Sequence, residues 1–341
     1  MSANYAIAMT DYAKAALLEV ESIDRVEPDE VLVETLYSLI SPGTEIAHGF
    51  LGQGPFPVWT GYAAVGRVME AGSAVAHVQP GDIVFTMGNH RLCQALKAST
   101  AFKLPEGLEP SIAVITRLMG VSMTTLTTTA ARPGDRVLVM GAGPVGYLAA
   151  HLFRHAGYKV SVCDPDPERL RLIEASGKFE VYRSLSEAQI TDNKASTEAD
   201  TEDFVDGKPE PFALVAECSG HEAALLAGLR NVRKGGEVVM IGVPWRKQTD
   251  HTAHEIAWEV FHRYAVLRSG WEWELPIQSD EFNPHSIYSN LKTAARWLQE
   301  GRIPLADTIR IESPTLAQEV YRGLADRMLK ELFVVFDWSK I

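Results

Sequence analysis

The sequence predicts an α/β protein of two domains, a doubly wound parallel sheet joined to a compact β-barrel. Three observations carry that expectation. An apolar run, Val137–Met140, meets a glycine-rich turn and then an apolar helical stretch, Tyr147–Gly157. From Lys159 to Arg268 strand and helix patterns alternate, the mark of a parallel sheet with right-handed crossovers. Residues 1–112, by contrast, hold short β-rich runs divided by Pro/Gly turns and no long helical period.

The elements follow in order. Glu30–Tyr37 and Ala64–Glu70 read as strands, and Gly81-Asp82 as a tight turn into another. The pattern then changes to a helix over Pro110–Ala131, ended by Pro133-Gly134. Beyond Lys159–Cys163 the sequence predicts a helix at Pro167–Ser176 and strands at Phe179–Tyr182 and Phe212–Cys218. A helix at His221–Val232 and strands at Glu237–Ile241 and Tyr264–Arg268 complete the alternation. Ser286–Glu300 is an amphipathic helix stopped by Gly301, and Leu332–Phe336 is a last apolar strand. These late elements return the chain to the first domain. The expected division is 1–112 with 271–341, against 113–270. The acidic stretch 186–211 is expected to be a solvated loop, because its composition buries no core.

Composition excludes several classes. With 341 residues, 46% hydrophobic and 22% charged, the chain has an ample globular core. A formal net charge of −12 argues against nucleic acid and anionic membrane as partners. No apolar run approaches the roughly 18 residues of a membrane span. The N-terminal residues lack a basic, then apolar, leader, so a cytoplasmic protein is expected. Cys93, Cys163 and Cys218 lie far apart, which predicts neither disulfides nor a cysteine-built zinc site.

The turn Gly141-Ala-Gly143-Pro144-Val145-Gly146 has the G-x-G-x-x-G spacing with a strand before it and a helix after it. That context fits a dinucleotide, its diphosphate resting on the helix N-terminus, where unpaired N–H groups favour negative charge. Asp164 ends the next strand, 18 residues after Gly146, and suits a ribose 2′-OH. A carboxylate there repels a 2′-phosphate, so NAD is the expected cofactor. Arg169, five residues on, is the residue able to hold a phosphate instead.

Taken together, Gly66-Arg-Val-Met-Glu-Ala-Gly72, Val78-Gln-Pro-Gly81-Asp82, Pro133-Gly134-Asp135, Glu217-Cys-Ser-Gly220 and Gly236-Glu-Val-Val-Met-Ile-Gly242 resemble the medium-chain dehydrogenase/reductase superfamily along the whole chain. The resemblance implies a GroES-like barrel beside a Rossmann domain. It also implies cofactor contacts at Cys218, Ser219, Gly242 and Val243, and a homodimer joined through Tyr264–Trp271. The chain departs from the zinc-dependent pattern. The expected Cys position holds Ser41, the expected His holds Tyr62, and the third ligand falls near Thr116, beside Arg117. Serine, tyrosine and threonine are not a zinc set, so no metal is expected, and Ser-Pro-Gly-Thr-Glu is similar to the zinc-lacking branch that includes bacteriochlorophyllide dehydrogenase and threonine-dehydrogenase-like proteins. His251-x-x-His254-Glu255 reads as surface residues on a polar turn.

Without a metal, hydroxyl or cationic donors must balance charge on the reacting oxygen. The candidates are Thr44 as the start of a proton relay and Tyr62 as acid/base, its phenol tuned downward by a cation. Glu45 and His48 are relay or structural residues, and Arg117 is an oxygen-holding cation. His90, Trp271 and Trp273 are candidate substrate contacts, the tryptophans suiting a ring or, equally, an interface. The expected function is NAD-dependent, zinc-independent oxidation of a secondary alcohol on a sugar, polyol or similar small ring compound. The alternatives are a reductase of activated C=C bonds or quinones, and a cofactor-binding scaffold without turnover.

Overall fold

The computed structural model describes residues 3–185, 204–205, 208–209 and 211–341. The expected loop at 186–211 therefore lies almost wholly outside the described residues. The chain divides into two units, Met1–Gly120 with Ile277–Ile341, and Val121–Pro276.

The first unit begins with β1 (Asn4–Asp11) and β2 (Lys14–Val20), an antiparallel hairpin. β3 (Glu30–Leu39) is the longest strand, and the pleat buries Val31, Val33 and Thr35 on one face. After β3, Pro42–Thr44 forms one helical turn that widens into a π-helical segment, Glu45–Phe50. β4 (Val58–Trp59) adds to β1. β5 (Ala64–Ala71), β6 (Ile83–Thr86), β7 (Cys93–Lys97) and β8 (Ala101–Lys103) follow. The predicted helix over Pro110–Ala131 is two helices, α1 (Pro110–Ala113) and α2 (Thr116–Thr128). The break falls at Val114-Ile115, two β-branched residues that crowd a helical backbone.

In the second unit come β9 (Arg136–Met140), α3 (Pro144–His155), β10 (Lys159–Cys163), α4 (Pro167–Ser176) and β11 (Glu180–Tyr182). A short antiparallel pair, β12 (Phe204–Val205) and β13 (Lys208–Pro209), precedes β14 (Phe212–Glu217). α5 (Glu222–Asn231) leads directly into β15 (Val232–Met240), a strand that starts five residues before the expected Glu237. α6 (Ala253–Arg263) was not expected. Its N-terminus is the supposed polar turn, where Thr252 and Glu255 form a reciprocal capping box and His251 meets the same carboxylate. Tyr264 stops α6 in a left-handed conformation, so it is not strand, and β16 is Val266–Ser269.

Six parallel strands form one sheet in the order β11-β10-β9-β14-β15-β16. The crossovers run outward in opposite directions from β9 and β14, which makes that pair the switch point of a Rossmann arrangement. Leu138, Val215, Leu229 and Val238 fill its core.

The chain then returns to the first unit with α7 (Ile287–Gln299), β17 (Ile309–Glu312), α8 (Ala317–Ala325) and β18 (Phe333–Asp337). β18 pairs with β3, closing a sheet of order β17-β18-β3-β5-β6-β8 with β7 also on β3. The smaller sheet is β2-β1-β4. Ile7, Met9, Phe50, Tyr321, Val334 and Phe336 make one core cluster, so residues from both ends of the chain share it. Among the described residues no helix is long and apolar enough to cross a membrane.

Candidate active site

The second unit carries the nucleotide turn. Gly141 has φ +93°, a left-handed conformation that lets β9 turn sharply into α3. A Cβ at Gly146 would lie 1.7 Å from the Gly141 carbonyl oxygen, so only glycine lets the helix sit this close. Above Gly143 the nearest group to such a Cβ is an Arg169 nitrogen at 3.8 Å. The space over the turn is thus open on the side where α3 presents its N-terminus, with Pro144 and Val145 in the first turn.

Asp164 follows β10 directly and is buried. Its Oδ2 accepts the Ala142 N–H at 2.6 Å and its Oδ1 accepts the Asp166 N–H at 2.8 Å. The carboxylate therefore shapes the glycine turn. Arg169 stands loosely between Asp164 at 3.6 Å and Asp166 at 3.8 Å. Cys218 and Ser219 lie at the end of β14, and Ser219 packs over Gly141. Gly242 approaches Cys218 and Gly220 so closely that a Cβ would lie 2.3 Å from the Gly220 nitrogen, and Val243 follows it, exposed. Trp271 and Trp273 are both at least half exposed beyond β16.

The first unit carries a group of hydroxyls. The Tyr62 phenol donates to Ser41 Oγ, and Thr44 is its second side-chain hydrogen-bond partner. The Arg117 guanidinium lies over the face of the Tyr62 ring, 4.9 Å from its centre, rather than against the oxygen. Burial pushes the phenol above its ordinary value, outweighing the Ser41 and Thr44 hydrogen bonds and the Arg117 charge. The expected downward tuning of Tyr62 is therefore wrong. Thr116, beside Arg117, is buried and its hydroxyl has no hydrogen-bond partner among the described residues.

Glu45 is turned away from these hydroxyls into the core. Its Oε1 accepts the Ser41 N–H at 2.7 Å, while Oε2 accepts the Tyr321 hydroxyl at 2.5 Å and contacts His90 Nε2 at 3.0 Å. Across the ring, His90 Nδ1 meets Ser38 Oγ at 2.7 Å, which also accepts the Trp338 indole N–H at 2.8 Å. His90 is thus fully buried with both nitrogens engaged, and it is not a substrate contact as expected. Because Ser41 reaches Glu45 through its backbone amide, Glu45 does not extend a hydroxyl relay; it holds Ser41 in place. His48 stays at the surface. A cavity of about 810 Å³ in this unit borders His90, Trp59 and Arg91 but none of Ser41, Thr44 and Tyr62. Sequence reasoning missed Tyr321, Ser38 and Trp338, and no local motif marks them.

Comparison with known proteins gives one consistent picture. The family model described as zinc-binding dehydrogenase matches residues 144–272. L-threonine 3-dehydrogenase of Saccharopolyspora erythraea is 31% identical over 221 residues, 56% of this chain and 61% of the relative. The family match takes in the helix after the glycine turn and the strands that follow it. The matched part of the chain is thus similar to zinc-binding dehydrogenases and to L-threonine 3-dehydrogenases. It spans about three-fifths of the length of the curated relatives it matches. Galactitol-1-phosphate dehydrogenase from Escherichia coli shares the fold, with TM-score 0.80 at 17% identity over 98% of this chain and 100% of that one. So does acetophenone reductase from Geotrichum candidum in complex with NAD, at TM-score 0.77 and 15% identity, covering 99% of this chain and 98% of the other. The likeness in fold fits a GroES-like first unit and a Rossmann second unit.

Proposed function

We propose that the protein is an NAD-dependent, zinc-independent dehydrogenase that interconverts a secondary alcohol of a sugar, polyol or similar ring compound with its ketone. The observation that carries this reading is the half-buried Ser41–Tyr62–Thr44 hydroxyl group under Arg117, in a chain whose other unit holds a complete dinucleotide turn. Gly141, Gly143, Pro144, Val145 and Gly146 would cradle the diphosphate, and Asp164 the adenosine ribose. Cys218, Ser219, Gly242 and Val243 would meet the nicotinamide end. Two carboxylates, Asp164 and Asp166, against the single Arg169 favour NAD over its 2′-phosphorylated form.

The donor set does not fit zinc. Ser41, Tyr62 and Thr116 offer only hydroxyls, the Glu45 carboxylate already takes three hydrogen bonds, and both His90 nitrogens are occupied. Among the described residues there is no group of three His, Cys, Asp or Glu that could hold a metal. Nicotinamide, when bound, accepts or gives the hydride; the chain has to orient the substrate and move one proton. With its phenol pushed up, Tyr62 is an O–H donor at neutral pH, suited to hydrogen-bonding a ketone oxygen and protonating the alkoxide formed in reduction. Oxidation requires the reverse transfer, so its rate rises with pH toward the raised phenol value. The same donor also serves reduction of an enone, which is the second reading.

The edge strand β16, with Val266 exposed on it and Tyr264 and Trp271 exposed just before and after it, supports a homodimer through that edge. A panel of sugars, polyols and enones, assayed with NAD(H) and NADP(H) before and after chelation, tests the reading. Activity on a polyol with NAD that survives chelation is expected. Activity lost on chelation and restored by zinc would sink it.

A further inference from the structure

We infer that Glu217 is the positioning residue of the nicotinamide end and that its charge favours the oxidised cofactor over the reduced one; this rests on the NAD reading above. Glu217 is the last residue of β14, at the carboxyl end of one of the two switch-point strands, where open parallel sheets bind their ligands. Its side chain folds back under the turn that follows. Oε1 accepts the Ser219 N–H at 2.7 Å, the Ser219 hydroxyl at 2.5 Å and the Gly220 N–H at 3.1 Å, and Oε2 shares that last donor at 3.1 Å. Its main-chain oxygen accepts both the Ile241 and the Gly242 N–H groups at 2.7 Å. One residue thereby fixes the two segments, 218–220 and 241–243, that the cofactor reading assigns to the nicotinamide end.

The electrostatic part follows from what is missing around this carboxylate. Glu217 is buried, yet among the described residues no cation forms an ion pair with it. Every polar contact it makes is an uncharged donor, and its titratable neighbour is the Cys218 thiol, which burial holds well up and therefore neutral. Burial pushes the Glu217 carboxyl up as well, against the pull of Ser219, Gly220 and His221. A buried carboxylate satisfied only by amides and a hydroxyl is a costly way to hold a turn. The oxidised nicotinamide ring carries a positive charge that the reduced ring lacks, and the two cofactors are otherwise alike. An uncompensated negative charge beneath the ring's binding turn therefore favours NAD⁺ specifically.

The test is direct binding of NAD⁺ and NADH to the intact protein by calorimetry, for the wild type, Glu217→Gln and Glu217→Asp. Glu217→Gln is expected to weaken NAD⁺ about 10-fold and NADH appreciably less, so that the ratio of the two affinities shifts. Glu217→Asp keeps the charge and is expected to keep the ratio while weakening both. A purely structural role would move both affinities together, so a ratio unchanged in Glu217→Gln overturns the inference. Should Glu217→Gln fail to fold, the wild type decides. Acidification that protonates Glu217 is expected to lower the NAD⁺ preference; a constant ratio overturns the inference. Absence of binding by either cofactor to the wild type would instead remove the NAD reading.

Discussion

The nucleotide turn and the hydroxyl group are built by different means. The turn is made of backbone: glycines at 141, 143 and 146, amides of α3, and one carboxylate that grips Ala142. The hydroxyl group is made of side chains, and a second layer of side chains holds it, with Glu45 gripped by Tyr321 and His90. A backbone site is specified by residues next to one another in sequence. A side-chain site is specified by residues that only the finished fold brings together.

The contrast can be broken in order of expected effect. Gly146→Ala forces a Cβ into the Gly141 carbonyl, so NAD binding should be lost by about 100-fold or more while the first unit is untouched; near-normal affinity by calorimetry would show that the turn tolerates a side chain. Tyr62→Phe should lower kcat about 100-fold at unchanged NAD affinity, with Thr44→Val smaller. Full activity in both would show that the hydroxyl group is structural.

His90→Ala leaves Glu45 short of a buried partner and should cost about 3 kcal/mol of stability in urea titrations, far more than an exposed histidine would. The pH dependence sharpens the same contrast. Burial raises the Tyr62 phenol, so alcohol oxidation should climb through the alkaline range in the wild type and lose that climb in Tyr62→Phe. Asp164→Ala should shift the NAD/NADP preference about 10-fold toward NADP, read as the ratio of kcat/KM values; an unchanged ratio would unseat Asp164 from the ribose.

The same distinction explains what could be read in the sequence. β10 and α4 lie where the periodicity placed them, because each is a local pattern with its own start and stop. The sharp turn at Gly141, and Asp164 just beyond the strand after it, come from equally local patterns. α6 was hidden because its signal is a capping box on a mostly exposed helix, and Tyr264 looked like strand because nothing local marks a left-handed stop. In the first unit, Ser41, Thr44 and Tyr62 could be located by motif, but the direction of the Tyr62 shift could not, since it depends on burial. His90 looked like a free imidazole until Ser38 and Glu45 closed on it. Tyr321 lies 276 residues from Glu45 and Trp338 lies 300 from Ser38, distances no spacing rule spans.

Those two long-range bonds bear on how the protein is made. A ribosome delivers residues 38 and 45 first, and the tyrosine and indole that lock them emerge 276 and 300 residues later, Tyr321 after Glu45 and Trp338 after Ser38. The second unit, contiguous from Val121 to Pro276, has its whole sheet available before then. Nucleotide binding is thus ready while the hydroxyl pocket is still waiting for its keystones, and a nascent chain stalled short of Tyr321 should hold cofactor without turning anything over.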